Sequence, residues 1–348
     1  MTSSQRLQEA LSFHEPDRVP YALGATLHMV REMGLSQKEY FSDARHLVEG
    51  QLRLRQKFGN DILSCYPAAA VEMLAWGGEI RYFDQGPPNA GPPIIRQPGD
   101  ILALAPPTVE DNPPLATVLE ATRALRARVG DEVPIAGVVI SPFSLPIMQM
   151  GFENYIDLIY ERPALLPRLL QVNTAYCVRW ANAQLKAGAA SILCSDPALS
   201  PTIFPRDIVL RHGLPSLRNL IDRIEGAVVV HLASGRGLSL VDEIAGAGAV
   251  GMSASAEEDL GDLKAACQGR LGLVGNLNAL DMVHWSPEKA EEEVKKALAA
   301  AGPGGGFVLS DNHGEIPLLV SEEVLLAVVA AVRRWGKYPL AWVAAHGA

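Results

Sequence analysis

Short apolar runs alternate with longer segments of helical spacing about eight times along this chain, and that rhythm restricts the fold more than any other feature. The runs are RVPYAL (18–23), DILSCY (61–66), VPIAGVVI (133–140), ASILCS (190–195), AVVVHL (227–232), AVGMSA (249–254), LGLVGN (271–276) and GFVLSD (306–311). They are short and rich in Val, Ile and Leu, as strands buried on both faces must be. Helical spacing marks 152–188, 214–226, 238–248, 258–269, 286–302 and 321–336. Ser286, Pro287 and Glu288 form a strong helix start, with a hydroxyl cap, Pro at the first position and an acid in the first turn. The alternation predicts a parallel (β/α)8 TIM barrel, one domain over 1–348, with a helical N-terminal extension. An open doubly wound sheet would carry a G-x-G-x-x-G turn after an early strand, and none stands there. Residues 85–115 are rich in Pro and Gly and read as a long loop on the rim.

Charge narrows the partners. The formal net charge is −9, and 30 Lys and Arg are dispersed among 39 Asp and Glu. Holding a nucleic-acid backbone requires a concentrated positive patch, so nucleic acid is not expected. No membrane span is expected either, because no stretch reaches the ~18 apolar residues that one requires. The N-terminal residues lack the apolar core of a secretory signal. Cys65, Cys177, Cys194 and Cys267 form no CxxC pair, which fits a reducing cytoplasm.

In a barrel the chemistry sits where the strands end. Reading the polar residues after each run collects His28, Asp61, Ser141, Asp196, His231, Ser253, Asn276, Asp311, His313 and Glu315. Residues 228–235, VVVHLASG, drive three valines into His231, which predicts a histidine at the barrel mouth. The stretch SDNHGEIP (310–317) adds His313 beside two carboxylates. Two imidazoles with nearby carboxylates suit a zinc-like ion, with Asp311 as a further ligand, or an acid–base pair. Glu72 lies in the apolar stretch AAAVEMLAWGG (68–78), where a buried carboxylate requires a partner. Cys65 and Cys194 read as small core residues.

The chain resembles the uroporphyrinogen decarboxylase superfamily, which includes cobalamin-dependent methyltransferases. The resemblance lies in RLQEALSFHEPDRVP (6–20), FGNDIL (58–63), SPFSLPIMQMGFENY (141–155), residues 187–221, VVVHLASG (228–235), GRLGLVGNLNALDMV (269–283) and HGEIPLLVSEE (313–323). It implies a (β/α)8 barrel. Asp61 matches the family's catalytic aspartate and His313 its histidine, while the decarboxylase tyrosine falls at Met148 and its serine near Asp196. The arginine-rich motif that grips porphyrinogen carboxylates is missing from PYALGATLHMVREMG (20–34), so the methyltransferase branch is the closer one.

That branch binds zinc through His-x-Cys and a second Cys before Gly. Here those positions read His231-Leu232-Ala233 and His313-Gly314. Imidazole in place of thiolate would make any bound zinc more Lewis-acidic. The resemblance implies a corrinoid-dependent methyltransferase that works on a small, methoxylated substrate and a cobalamin carried by a small corrinoid-binding protein. It assigns catalysis to His231, His313, Asp196 and Asp61, and substrate contact to His28, Glu72, Met148, Asn276 and Glu315. Two alternatives are decarboxylation of a small carboxylic acid and a non-catalytic corrinoid-binding subunit.

Overall fold

The computed structural model describes residues 1–346 and turns seven of the eight apolar runs into one parallel sheet. In chain order the strands are β1 (Tyr21–Ala22), β2 (Ile80–Arg81), β3 (Asn89–Ala90), β4 (Ala136–Ile140), β5 (Ser191–Ser195), β6 (Ala227–His231), β7 (Gly251–Ser253), β8 (Gly272–Leu277) and β9 (Phe307–Asp311). β2 and β3 form a separate antiparallel pair. The parallel sheet runs β1-β9-β8-β7-β6-β5-β4. Each strand from β5 onward lies beside its predecessor and β1 returns to β9, a TIM-barrel-like order.

The run at 61–66 is the exception. It makes one parallel bridge, Leu63 to Ile135, while the Asp61 N–H donates to the Tyr21 carbonyl at 2.8 Å. The segment therefore touches both edge strands without laddering along either. Above Ile135 the outer edge of β4 meets side chains instead of a strand. The Gln184 carboxamide accepts from Val138 N–H at 2.9 Å and donates to Val138 O at 2.8 Å. Glu72 accepts from Ile140 N–H at 2.9 Å, and the Cys177 thiol donates to Ile140 O at 3.2 Å. Buried backbone groups must be paired, and these side chains pair them.

Strand parity decides what faces the inside of the ring. Ile192 points at Gln184 of helix Leu166–Lys186, so Ile192 and Cys194 face the helices and are fully buried. Leu193 and Ser195 must then face inward, and both are only half-buried. Register transfers the pattern to β6, where Ile192 pairs with Val228, Cys194 with Val230 and Ser195 with His231. His231 therefore points into the ring, at its carboxyl end, where the walls remain partly open.

The helical segment expected at 152–188 is divided into Phe152–Glu161, a turn at Pro163–Leu165 and Leu166–Lys186. Pro163 lacks the N–H that would continue the first helix. The Ser286 cap forms as the sequence implies, accepting from Lys289 N–H. Residues 85–115 carry β3 and a short helix, Asp100–Ala103. Buried Ile95, Ile101 and Val109 anchor that stretch, and the Ile94 and Ile95 amides donate to Gln149 O.

Candidate active site

His231 and His313 meet at the carboxyl end of the sheet. A Cβ placed on Gly314 would lie 3.4 Å from His231 Nε2, so the 313–314 backbone passes against the imidazole. The glycine's φ of 90° lies where L side chains are strained. Burial pushes the His231 imidazole below its ordinary range; Asp311 and the His313 main chain pull it up, and the His313 ring pushes it further down. Burial lowers His313 too, against Asp311 and Asp281. Both rings are therefore neutral at pH 7, each with one N–H donor and one lone pair. His313 Nδ1 is buried without a partner among the described residues.

Asp311 shapes the loop that carries His313. Its Oδ2 accepts from the N–H groups of His313 at 3.1 Å and Gly314 at 2.6 Å, and its Oδ1 from Gly24 N–H at 3.0 Å. Both oxygens are thus committed to backbone amides. The carboxylate expected as a further metal ligand is the anchor of this loop. Ala233, in the place of the related cysteine, carries no ligating atom and adopts a φ of 51°, a left-handed conformation that costs a non-glycine residue about 1–2 kcal/mol. Among the described residues no three His, Cys, Asp or Glu side chains gather to hold a metal ion. The donor set does not fit a three-ligand zinc centre.

Asp196 follows β5 and ties that strand to its neighbours. Its N–H donates to His231 O at 2.8 Å, and its Oδ1 accepts from Ser144 Oγ at 2.6 Å. It is fully buried, and its Oδ2 has no hydrogen-bond partner among the described residues. Burial raises the carboxyl to about 6, against Ser141, Ser144 and the Leu199 amide. Ser144 was not singled out in the sequence, although SPFS (141–144) directly follows a strand. Met148 lies half-buried in helix Leu145–Met150, packed against the core.

Glu72 is fully buried at the end of β4. Its Oε1 accepts from Ile140 N–H and from the Tyr66 hydroxyl at 2.8 Å, and burial pushes the carboxyl up to about 8. A neutral acid is thus the wedge that fills the edge of β4, with half-buried Tyr66 in front of it. Asn276 is half-buried and donates to Ser255 O at 3.1 Å. It lines a cavity of about 410 Å³ with Asn278, Asp281 and Trp285. Through Asp281 that cavity adjoins His313.

Three expected residues do not join the histidines. Asp61 lies two residues before the Leu63–Ile135 bridge, beyond the N-terminal end of β4, whereas the row Ile140, Ser195, His231 marks the other end. The separation along the strands is roughly 20 Å. Asp61 is fully buried among Arg6, Arg18, Ser3 and the Tyr21 amide, a structural anchor. His28 packs among helices, its Nε2 3.1 Å from Val320 O, beside Lys57 and Glu322. Glu315 accepts from Leu27 N–H at 2.8 Å and caps helix Thr26–Glu32, whose own N-cap residue, Ala25, offers no side-chain acceptor.

Comparison with known proteins agrees with this architecture. A solved methyltransferase from Methanosarcina mazei superposes with a TM-score of 0.86, covering 96% of this chain and 99% of its own at 23% identity. Among curated relatives, the uroporphyrinogen decarboxylase of Alkalilimnicola ehrlichii is 31% identical over 277 residues, 76% of this chain and 72% of its own. The methylcobamide:CoM methyltransferase MtaA of Methanosarcina barkeri is 28% identical over 220 residues, 62% of this chain and 63% of its own. No helix among the described residues is long and apolar enough to cross a membrane. The model of the uroporphyrinogen decarboxylase (URO-D) family matches residues 2–335, and the chain belongs to that family.

Proposed function

We propose that this chain is a methyltransferase that moves a methyl group between a small, methoxylated substrate and a cobalamin carried by a separate small corrinoid-binding protein. The observation that carries the reading is the meeting of His231 with the His313–Gly314 loop at the carboxyl end of the sheet. The Methanosarcina relatives lend it support.

The corrinoid is a substrate in this reading. The methyl carbon passes to or from its cobalt, and the electron pair of the carbon–oxygen bond stays with the leaving oxygen. A neutral imidazole N–H aimed at that oxygen stabilises the charge that develops there. Asp311 fixes the loop so that the rings need not reorganise during the reaction, and the half-buried inner walls, Leu193, Ser195 and Val229, restrict water around the transferred carbon. The chemistry asks for alignment and charge stabilisation, and both are properties of a fixed mouth.

Decarboxylation of a small carboxylic acid is the second reading, favoured by the decarboxylase relatives. The residue that matches the family's catalytic aspartate, Asp61, is bound by Arg6 and Arg18 at the far end. The two readings separate in one anaerobic experiment. The purified chain is mixed with cob(I)alamin and a panel of methoxyaromatic compounds, methanol and methylamines, and the cobalamin spectrum is followed. Conversion to methylcobalamin with the methoxylated donors supports methyl transfer. Release of carbon dioxide from a carboxylic acid, without cobalamin, would replace it with decarboxylation.

A further inference from the structure

A second cavity, of about 780 Å³, opens at the N-terminal ends of the strands, away from the histidines. Its walls include Ser3, Arg6, Arg18, Arg55, Gln56 and Asp61. Two of the arginines are neutralised. Asp61 takes Arg6 Nη1 at 2.8 Å and Arg18 Nη1 at 2.7 Å. Asp17 takes Arg6 Nε and Nη2, both at 2.6 Å.

Arg55 is different. Its Nη1 donates to two neutral groups, Ser3 Oγ at 3.2 Å and Asn60 O at 2.7 Å. Among the described residues no carboxylate pairs with it, and its Nε and Nη2 have no acceptor. Arg333 stands just behind Gly59, close enough that a Cβ there would collide with its guanidinium. The carboxylate left at the rim is Glu132, which is exposed and forms no ion pair among the described residues. So the lining carries three guanidinium groups, Arg6, Arg18 and Arg55, against Asp61 and Glu132, an excess of positive charge in a chain of net charge −9. An acidic protein repels anions over most of its surface, which makes a concave positive site a selective one.

We infer that this cavity binds a compact anion bearing phosphate or carboxylate groups, held by Arg55. Two adjacent guanidinium donors match the paired oxygens of either group. The Gln56 amide and the Thr2 hydroxyl serve the remaining oxygens, and an apolar ligand would gain little against such a lining. The site lies at the end of the barrel that serves stability rather than chemistry. Its occupant therefore stabilises the fold by mass action and takes no part in the reaction.

The test is thermal unfolding of the full chain in rising inorganic phosphate and, separately, citrate, each against chloride at matched ionic strength. The expected result is a saturable rise in Tm with phosphate or citrate that chloride does not give, and the anion that saturates at lower concentration identifies the chemistry. Arg55→Gln should abolish the rise. Gln56→Glu places a negative charge in the cavity at an exposed residue with no hydrogen bond to lose, so the fold is untouched and the half-saturating concentration should rise at least about ten-fold. Equal Tm in all three salts overturns the inference, as does an unchanged saturation curve in Gln56→Glu.

Discussion

Replacing Glu72 with glutamine tests whether a neutral acid fills the outer edge of β4. The carboxyl rises from an ordinary 4.5 to about 8 because it is buried. Between those values the folded chain holds a proton that the unfolded chain releases. Stability conferred by the protonated form is therefore present below about pH 4.5 and falls as pH rises, until about pH 8. Each pH unit corresponds to about 1.4 kcal/mol, so the fall across the window is on the order of 5 kcal/mol. Glutamine keeps the acceptor for Ile140 N–H and Tyr66 and does not titrate. Near pH 5 the two proteins should differ by about 1 kcal/mol or less. Near pH 8.5 the variant should be the more stable by several kcal/mol, roughly the whole window. Urea unfolding midpoints measured across this range give the difference directly, because the other titrating groups are common to both proteins. Parallel stability curves for wild type and Glu72→Gln would refute a protonated Glu72. Glu72→Leu supplies the contrast: it strands two hydrogen-bonding groups and should cost roughly 2–5 kcal/mol at every pH.

Three further outcomes follow from the geometry. Ala233→Gly relieves the positive φ at that residue and should stabilise the chain by about 1 kcal/mol in thermal unfolding. Asp61→Ala leaves Arg6 and Arg18 buried without their shared partner; it should cost about 3–5 kcal/mol while the turnover of the molecules that remain folded stays at the wild-type rate. Asp311→Asn retains one acceptor where three amides converge, so the loop loosens. It should lower kcat more than it raises KM, and it should lower the His231 titration midpoint followed by NMR, because a charge that raises it is gone.

Much of the architecture was legible because periodicity reports burial. Three valines before His231 read as a buried strand, and β6 is that strand, with Val228 and Val230 fully buried and Val229 half-buried. The run at 61–66 also reads as a strand and fails as one for a reason no local pattern carries. The edge of β4 that it would have paired with is already satisfied by Gln184, Glu72 and Cys177, which are distant in sequence. A histidine that ends such a run belongs at the barrel mouth, where His231 lies, whereas the approach of the 313–314 backbone depends on a loop fold that no spacing reveals. Asp61 misled because a motif match gives a position along the chain and not the end of the strand at which it falls. Asp311 looked like a ligand because composition names its carboxylate and not the three amides that occupy it. Glu72 was recognisable as a buried acid in an apolar stretch, but its partner, Ile140 N–H, depended on the missing strand.

The most direct measurement is single-turnover methyl transfer between cob(I)alamin and the best methoxylated donor, compared for wild type, His231→Ala and His313→Ala. The expected result is transfer by the wild type and a loss of about 10²-fold or more in each variant, with the fold retained in both. Full activity in either variant, or a wild type that transfers no methyl group, would contradict a mouth in which two imidazoles stabilise the leaving oxygen.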